Sequence, residues 1–205
     1  MSALLLCLTL AGPAAAETVL RSLETQGRAL KTMQAEFVET KVSVLLGDTE
    51  ETRGTLLLQV PGRLRWNYVS PRASAMLIKD GRFERYFPQT KQVFRGQAKG
   101  EADLLVGFGP GAAELGAKYE VSLTGEESVA GAPAYVLKLK PRAGGGLFKE
   151  IQLWVDKARS IPVQTRLTEP TDDYTTILFA NVVLNRGLPG NAFDLALPRD
   201  VVEVK

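Results

Sequence analysis

Residues 63–68, Arg63-Leu64-Arg65-Trp66-Asn67-Tyr68, alternate polar and apolar side chains without a break. A strand with this order sends Leu64, Trp66 and Tyr68 to one face and Arg63, Arg65 and Asn67 to the other. The surrounding residues 61–93 repeat the idea in short pieces. Ser70-Pro71 reads as a turn, Ala75–Lys79 as a second strand, and Asp80-Gly81 as the tight turn of a β-hairpin leading into Arg82–Phe87. Pro88-Gln89-Thr90 then separates that strand from Lys91–Arg95. The stretch predicts an antiparallel meander with one greasy face, and it holds no catalytic motif.

Outward from the meander, Thr52–Val60 reads as the preceding strand and Glu36–Leu46 as the one before it, joined by a turn at Gly47-Asp48. Val19, Leu20, Leu23, Leu30 and Met33 recur at helical spacing and predict an amphipathic helix over Thr18–Met33, weakened in its middle by Gly27. On the other side, Gly96–Gly116 is glycine-rich, which suits short helical turns of weak intrinsic order. Strands are then expected at Lys118–Thr124, Ala134–Lys140, Phe148–Val155, Val163–Thr168 and Tyr174–Leu184, with a last extended piece over Phe193–Val204. Strands at this spacing fit a sandwich or barrel meander. No internal repeat, coiled coil or linker interrupts them.

Residues 1–16 hold an apolar run from Ala3 to Gly12 followed by Ala14-Ala15-Ala16, the pattern of a secretory signal peptide cut before Glu17. Residues 17–205 are then expected to form a single domain. The only cysteine, Cys7, lies in the segment expected to be removed, so no disulfide is available and packing must supply stability. Leu6 before Cys7 does not suit a lipid-anchored cysteine, and a secreted, unanchored protein is expected.

Lys and Arg number 25 against 23 Asp and Glu, a net charge of +2. That balance gives no basic stripe for nucleic acid. The chain has no histidine, which removes Ser-His and Cys-His nucleophile pairs and every His-based metal site. The acidic pairs Glu50-Glu51, Glu126-Glu127 and Asp172-Asp173 sit beside turn residues and read as solvated loop charge. Gly107-Phe108-Gly109-Pro110-Gly111 lacks the dinucleotide-loop spacing, and Pro110 removes a backbone donor that a phosphate needs. No enzyme, cofactor or metal is expected. Large apolar residues remain, chief among them Phe37, Leu56, Leu58, Trp66, Met76, Ile78 and Tyr86. On pattern alone two readings stay open: these fill a β core, or they line a cavity for an apolar ligand under the helical segments.

The order of features resembles the LolA-type outer-membrane lipoprotein carriers. It is carried by Phe37, the P-G-R-L-R-W-N-Y run at 61–68, L-I-K-D-G-R at 77–82, Phe87, K-Q-V at 91–93, L-L-V-G-F-G-P-G-A-A-E-L at 104–115, Y-V-L-K-L-K-P at 135–141, I-Q-L-W-V-D at 151–156, T-I-L-F-A-N-V-V-L-N at 176–185, A-F-D-L-A-L-P at 192–198 and V-V-E-V at 201–204. The resemblance implies an incomplete antiparallel β-barrel with a lid of short helices over a hydrophobic cavity. It implies a monomeric periplasmic chaperone that accepts acylated lipoproteins from an inner-membrane ABC transporter and delivers them to an outer-membrane lipoprotein receptor. Phe37, Leu64, Trp66, Met76 and Ile78 fall on positions that lie along the core or cavity of the family's barrel, and Leu104, Leu105 and Phe108 on the lid. With Leu56, Leu58 and Tyr86 these make up the candidate acyl-chain site. A related half-barrel acting as receptor or sensor for another lipid or lipoprotein is the alternative. Two positions depart from the family pattern: Val60 stands where some members place an arginine that holds the lid closed, and Arg85 where many have an aromatic residue.

Overall fold

The computed structural model describes residues 13–98, 105–143 and 146–204. Among the described residues, helix α1 (Pro13–Ala29) leads into a single twelve-stranded sheet. The strands are β1 (Thr32–Ser43), β2 (Asp48–Gln59), β3 (Arg63–Ser70), β4 (Ser74–Lys79), β5 (Arg82–Phe87), β6 (Gln92–Gln97), β7 (Tyr119–Val129), β8 (Ala132–Pro141), β9 (Glu150–Asp156), β10 (Pro162–Thr168), β11 (Tyr174–Leu184) and β12 (Val202–Val204). Between β6 and β7 lie a 3-10 helix, Gly109–Glu114, and the single-turn α2, Leu115–Lys118.

Their spatial order is β12-β6-β5-β4-β3-β2-β1-β11-β10-β9-β8-β7. The sheet is therefore open, with β12 and β7 at its two edges. The expectation of a wholly antiparallel sheet needs one correction, because β12 pairs with β6 in parallel, Glu203 opposite Val93. The chain reaches that edge by an extended return from β11, and a long connection leaves strand direction unconstrained. The return explains why the expected Phe193–Val204 piece is strand only over its last residues.

Local chemistry accounts for the meander. β3 buries Leu64 and Trp66 and leaves Arg63 and Arg65 half-buried, as the alternation requires. Asp80 and Gly81 both take positive φ, 52° and 73°, the backbone of a two-residue hairpin turn that only such residues adopt at low cost. The first helix needs a larger correction. It runs Pro13–Ala29, not Thr18–Met33, and Met33 belongs to β1. From Thr32 the burial alternates at every second residue through Met33, Ala35 and Phe37, so pairing on both flanks of β1 overrides the helical spacing of Leu30 and Met33. The helix also crosses the expected cleavage point between Ala16 and Glu17.

Each face has its own packing. On the inner face, Met33, Phe37, Leu56 and Trp66 pack with Phe179 of β11 and with Phe108. A second inner cluster sets Val19 and Leu23 of α1, with Val106 and Leu115, on Leu137, Leu139, Ile151 and Leu153 of β8 and β9. On the outer face, Leu77 and Leu57 are covered by Ala192, Phe193 and Leu195 of the returning chain. Arg65 clamps that return by donating to the backbone carbonyls of Ala192 and Asp194 at 3.0 and 3.1 Å.

Candidate functional site

Register decides which side chains meet on the inner face. Across the meander, Leu58 opposes Leu64, Leu64 opposes Ile78, and Ile78 opposes Phe83. Two residues further along, Leu56, Trp66, Met76 and Arg85 form the next row, and Gly54, Tyr68 and Ser74 the one after. Directly opposed residues share a face. Phe37 enters from β1 opposite Gly54, where a Cβ would lie 1.9 Å from the Asn67 carbonyl oxygen of β3 and 2.8 Å from the Phe37 ring, so the glycine admits both the close backbone and the ring. The Phe37 ring stands edge-on to Trp66 with centroids 4.6 Å apart and to Tyr68 at 5.4 Å.

The structure thus brings Phe37, Leu56, Leu58, Leu64, Trp66, Met76 and Ile78 onto one face. Tyr86 is different: it opposes Ala75 and Val93 and lies on the outer face, because a shift of one residue along a strand reverses the side. Its neighbours Phe83, Arg85 and Phe87 are the inner-face residues of β5. Leu104 lies outside the described residues. Leu105 and Phe108 are buried, and Phe108 meets Phe179 edge-on at 5.2 Å.

A cavity of about 310 Å³ lies between this face and the covering segment. Leu58, Val60, Leu64 and Ile78 form its sheet side, and Leu105, Val106, Phe108 and Leu115 its other side; Arg63, Glu114 and Lys118 stand at its polar margin. The volume falls at the small end of ligand cavities. Val60, where some carriers place an arginine, is part of this lining. Its backbone N–H donates to the Lys31 carbonyl at 2.8 Å, and its side chain lies beside Gly109 of the 3-10 helix. The covering segment is held against α1 at Gly27, where a Cβ would sit 2.4 Å from the Gly109 carbonyl oxygen. The sequence marks Gly27 only as a weak point in a helix; the structure makes it the place where two backbones touch.

Along the strands the inner face turns from apolar to polar. Beyond Tyr68 lies Glu39, buried at 5% exposure, with Lys41 at 3.8 Å. Burial raises the Glu39 carboxyl above the usual carboxylate range, against the lowering influence of Lys41 and Arg85. Burial, then the Glu39 charge, pushes the Tyr68 phenol up to about 12. Sequence reading missed Glu39, because a single glutamate in an alternating strand gives no sign of which face is covered. It also missed Phe179, whose role depends on β11 pairing with β1 across the chain. Among the described residues no group of three or more Cys, Asp or Glu is placed to hold a metal, and no helix is long and apolar enough to cross a membrane.

Fold and site together define a class: an open β-sheet whose apolar inner face is partly covered by helical segments, with a cavity between the two. The chain belongs to the outer membrane lipoprotein carrier protein LolA family, whose model matches residues 28–196. It is 28% identical over 198 residues to an outer-membrane lipoprotein carrier protein of Chromobacterium violaceum, covering 94% of this chain and 89% of the relative. A protein of the same description from Methylococcus capsulatus is 26% identical over 174 residues, with 83% and 80% covered. An uncharacterized conserved protein from Thermus thermophilus has a similar fold, with a TM-score of 0.61 at 14% identity over 93% of this chain and 98% of that one.

Proposed function

We propose that the protein is a periplasmic chaperone that shields the acyl chains of lipoproteins while carrying them from the inner to the outer membrane. The observation that carries this reading is the cavity between Leu58, Leu64 and Ile78 on one side and Leu105 and Phe108 on the other, in a chain of the carrier family. The physical need is large. Each methylene exposed to water costs about 0.8 kcal/mol, so one long acyl chain cannot cross an aqueous compartment unshielded. The carrier must also release its load, which calls for a cover that opens readily.

Residues 105–118 are the part of the chain suited to that role and act as the lid. They are attached by the Gly27–Gly109 approach, the Val60 side chain and the apolar contacts of Leu105, Val106, Phe108 and Leu115. With Val60 in place of an arginine, closure at this position rests on packing, while the Arg142 side chain donates to the Gly116 carbonyl at the far end of the segment. Phe37, Leu56, Leu58, Leu64, Trp66, Met76 and Ile78 are the wall against which chains lie once the lid swings away. Residues 1–16 are the export signal and residues 17–205 the working domain, a monomer without cofactor or catalytic activity. Its partners are acylated lipoproteins, the inner-membrane ABC transporter that releases them and the outer-membrane receptor that takes them.

Native mass spectrometry of the protein isolated from periplasm tests the reading. The expected result is a population heavier by the mass of an acylated lipoprotein, together with lipoprotein release from spheroplasts on adding the purified protein. An unliganded mass and no release would remove the carrier reading.

A further inference from the structure

Val44, Leu45 and Leu46 are consecutive large apolar side chains at the tip of the β1–β2 hairpin, 53%, 91% and 78% exposed. The fold gives them nothing to pack on. Gly47, at φ 64°, closes the turn, and Asp173 holds its backbone: the carboxylate accepts from the Val44 N–H at 2.8 Å and from the Ser43 hydroxyl at 3.5 Å. The tip also projects beyond β3. That strand ends at Ser70, opposite Arg53, so Asp48 to Thr52 run on without a partner on that side, roughly 17 Å at the rise of an extended strand. Single apolar residues at a surface are ordinary, but a contiguous apolar tip held in place marks a contact surface.

The neighbouring loops say what is contacted. The β1–β2, β10–β11 and β8–β9 connections turn at the same end of the sheet, because the order there is β2-β1-β11-β10-β9-β8 with every pair antiparallel. The middle turn ties the other two together. Asp173 holds Val44, and Asp172 forms an ion pair with Lys149. Two residues before Lys149 stands Leu147, 63% exposed. Apolar side chains are thus offered by two separate loops at one end of the sheet. A pocket in a partner protein would enclose one projecting tip, whereas a lipid surface meets both loops together.

The charges beside the tip select the headgroup. Asp48 and Glu50 follow it on β2, and neither forms an ion pair within the described residues. The nearby cations are taken up elsewhere: Lys149 by Asp172, Arg53 by Glu51, and Lys41 by Glu39 at 3.8 Å. With the leucines among acyl chains, the two carboxylates lie at headgroup depth. There they attract the ammonium groups of zwitterionic lipids and repel lipids of net negative charge. We infer that the β1–β2 tip, with Leu147, is a membrane-contact site that dips into the surface of a zwitterionic bilayer. The inference goes beyond the carrier reading and does not depend on what fills the cavity, whose Leu58, Leu64 and Ile78 lie at the opposite ends of β2, β3 and β4. Few side chains insert, so the contact is reversible.

Flotation of the purified protein with large unilamellar vesicles tests it. The wild type should float with phosphatidylcholine–phosphatidylethanolamine vesicles. Leu45→Ser and Leu46→Ser should each weaken binding on the order of tenfold, the double variant more, and Leu147→Ser should add to the loss. Thermal melts should not change, because these side chains are exposed in the folded protein. In Leu45→Trp the new indole should shift its emission to the blue on vesicles and be quenched by brominated lipid, against Trp66 and Trp154, which are buried. Replacing half of the lipid with phosphatidylglycerol should weaken binding, and Asp48→Asn with Glu50→Gln should restore it. A wild type that does not float overturns the site; a dimer in analytical ultracentrifugation that the double serine variant dissolves would then assign the tip to a second copy of the chain. Flotation unchanged in the double serine variant also overturns it. Binding that tightens as phosphatidylglycerol is added overturns the choice of headgroup.

Discussion

Glu39 is the side chain whose placement the surrounding apolar wall opposes most. It sits in a strand flanked by β2 and β11, opposite Thr52 on one side and Ile177 on the other. Desolvation raises its folded-state pKa above the value it has in the unfolded chain. The unfolded chain therefore loses this proton at lower pH than the folded one. Between the two pKa values the native state binds more protons, and stability falls as pH rises through that window. Glu39→Gln removes the ionisation and keeps the shape. Thermal melts should show the variant with a higher Tm than the wild type at pH 7.5, and a difference that shrinks by pH 4.5. A Tm difference independent of pH would mean that burial does not penalise the charged carboxyl.

At the scale of elements, α1 and the 105–118 segment meet where Gly27 faces Gly109 and Ala112, and again in the cluster that Val19 and Leu23 share with Val106 and Leu115. Replacing Gly27 with Ala ought to favour the helix by about 1 kcal/mol on propensity alone. Its Cβ would nevertheless lie 2.4 Å from the Gly109 carbonyl oxygen and 2.8 Å from the Ala112 Cβ. Backbone cannot yield as a flexible side chain can, so the steric term wins and the covering segment must move away. Hydrogen-exchange mass spectrometry should show faster exchange across residues 105–118 in Gly27→Ala, with β3 and β4 unchanged. The meander itself was readable at this scale. The Asp80-Gly81 turn, the alternation of β3 and the strands of the second half follow from short-range chemistry, and the observed boundaries differ mainly at the ends. Helix α1 was readable as a helix but not in its limits, because Leu30 and Met33 fit a helical period and a strand period alike until β2 and β11 pair with β1.

For the whole molecule, the returning C-terminal segment covers the outer face. Phe193, 4% exposed, packs with Ala192 beside Leu77 and the half-buried Leu57 and Leu195. Truncating it to Ala leaves a cavity under a segment that otherwise touches the sheet through few side chains, and should cost about 3 kcal/mol in urea denaturation. Breaking the exposed Arg95–Glu203 pair at the β6–β12 edge by Glu203→Ala should cost less than about 1 kcal/mol, as surface ion pairs do. If the two variants lose equal stability, the segment is held by its edge pairing and not by its apolar side chains.

The amino-acid order by itself determined the mainly β class, the amphipathic strands around Trp66, the absence of histidine and the residues that can form an apolar wall. These follow from period-two patterning, turn chemistry and composition, all of which act within a few residues. Only the tertiary structure decided that Tyr86 faces outward while Phe83 and Arg85 face inward, that Phe179 and Glu39 belong to the same surface as Phe37, and that Gly27 is a contact between backbones. Each of these depends on strand register or on pairing between segments distant in the chain. A one-residue change in register moves a whole set of side chains to the other face, and no local pattern records it.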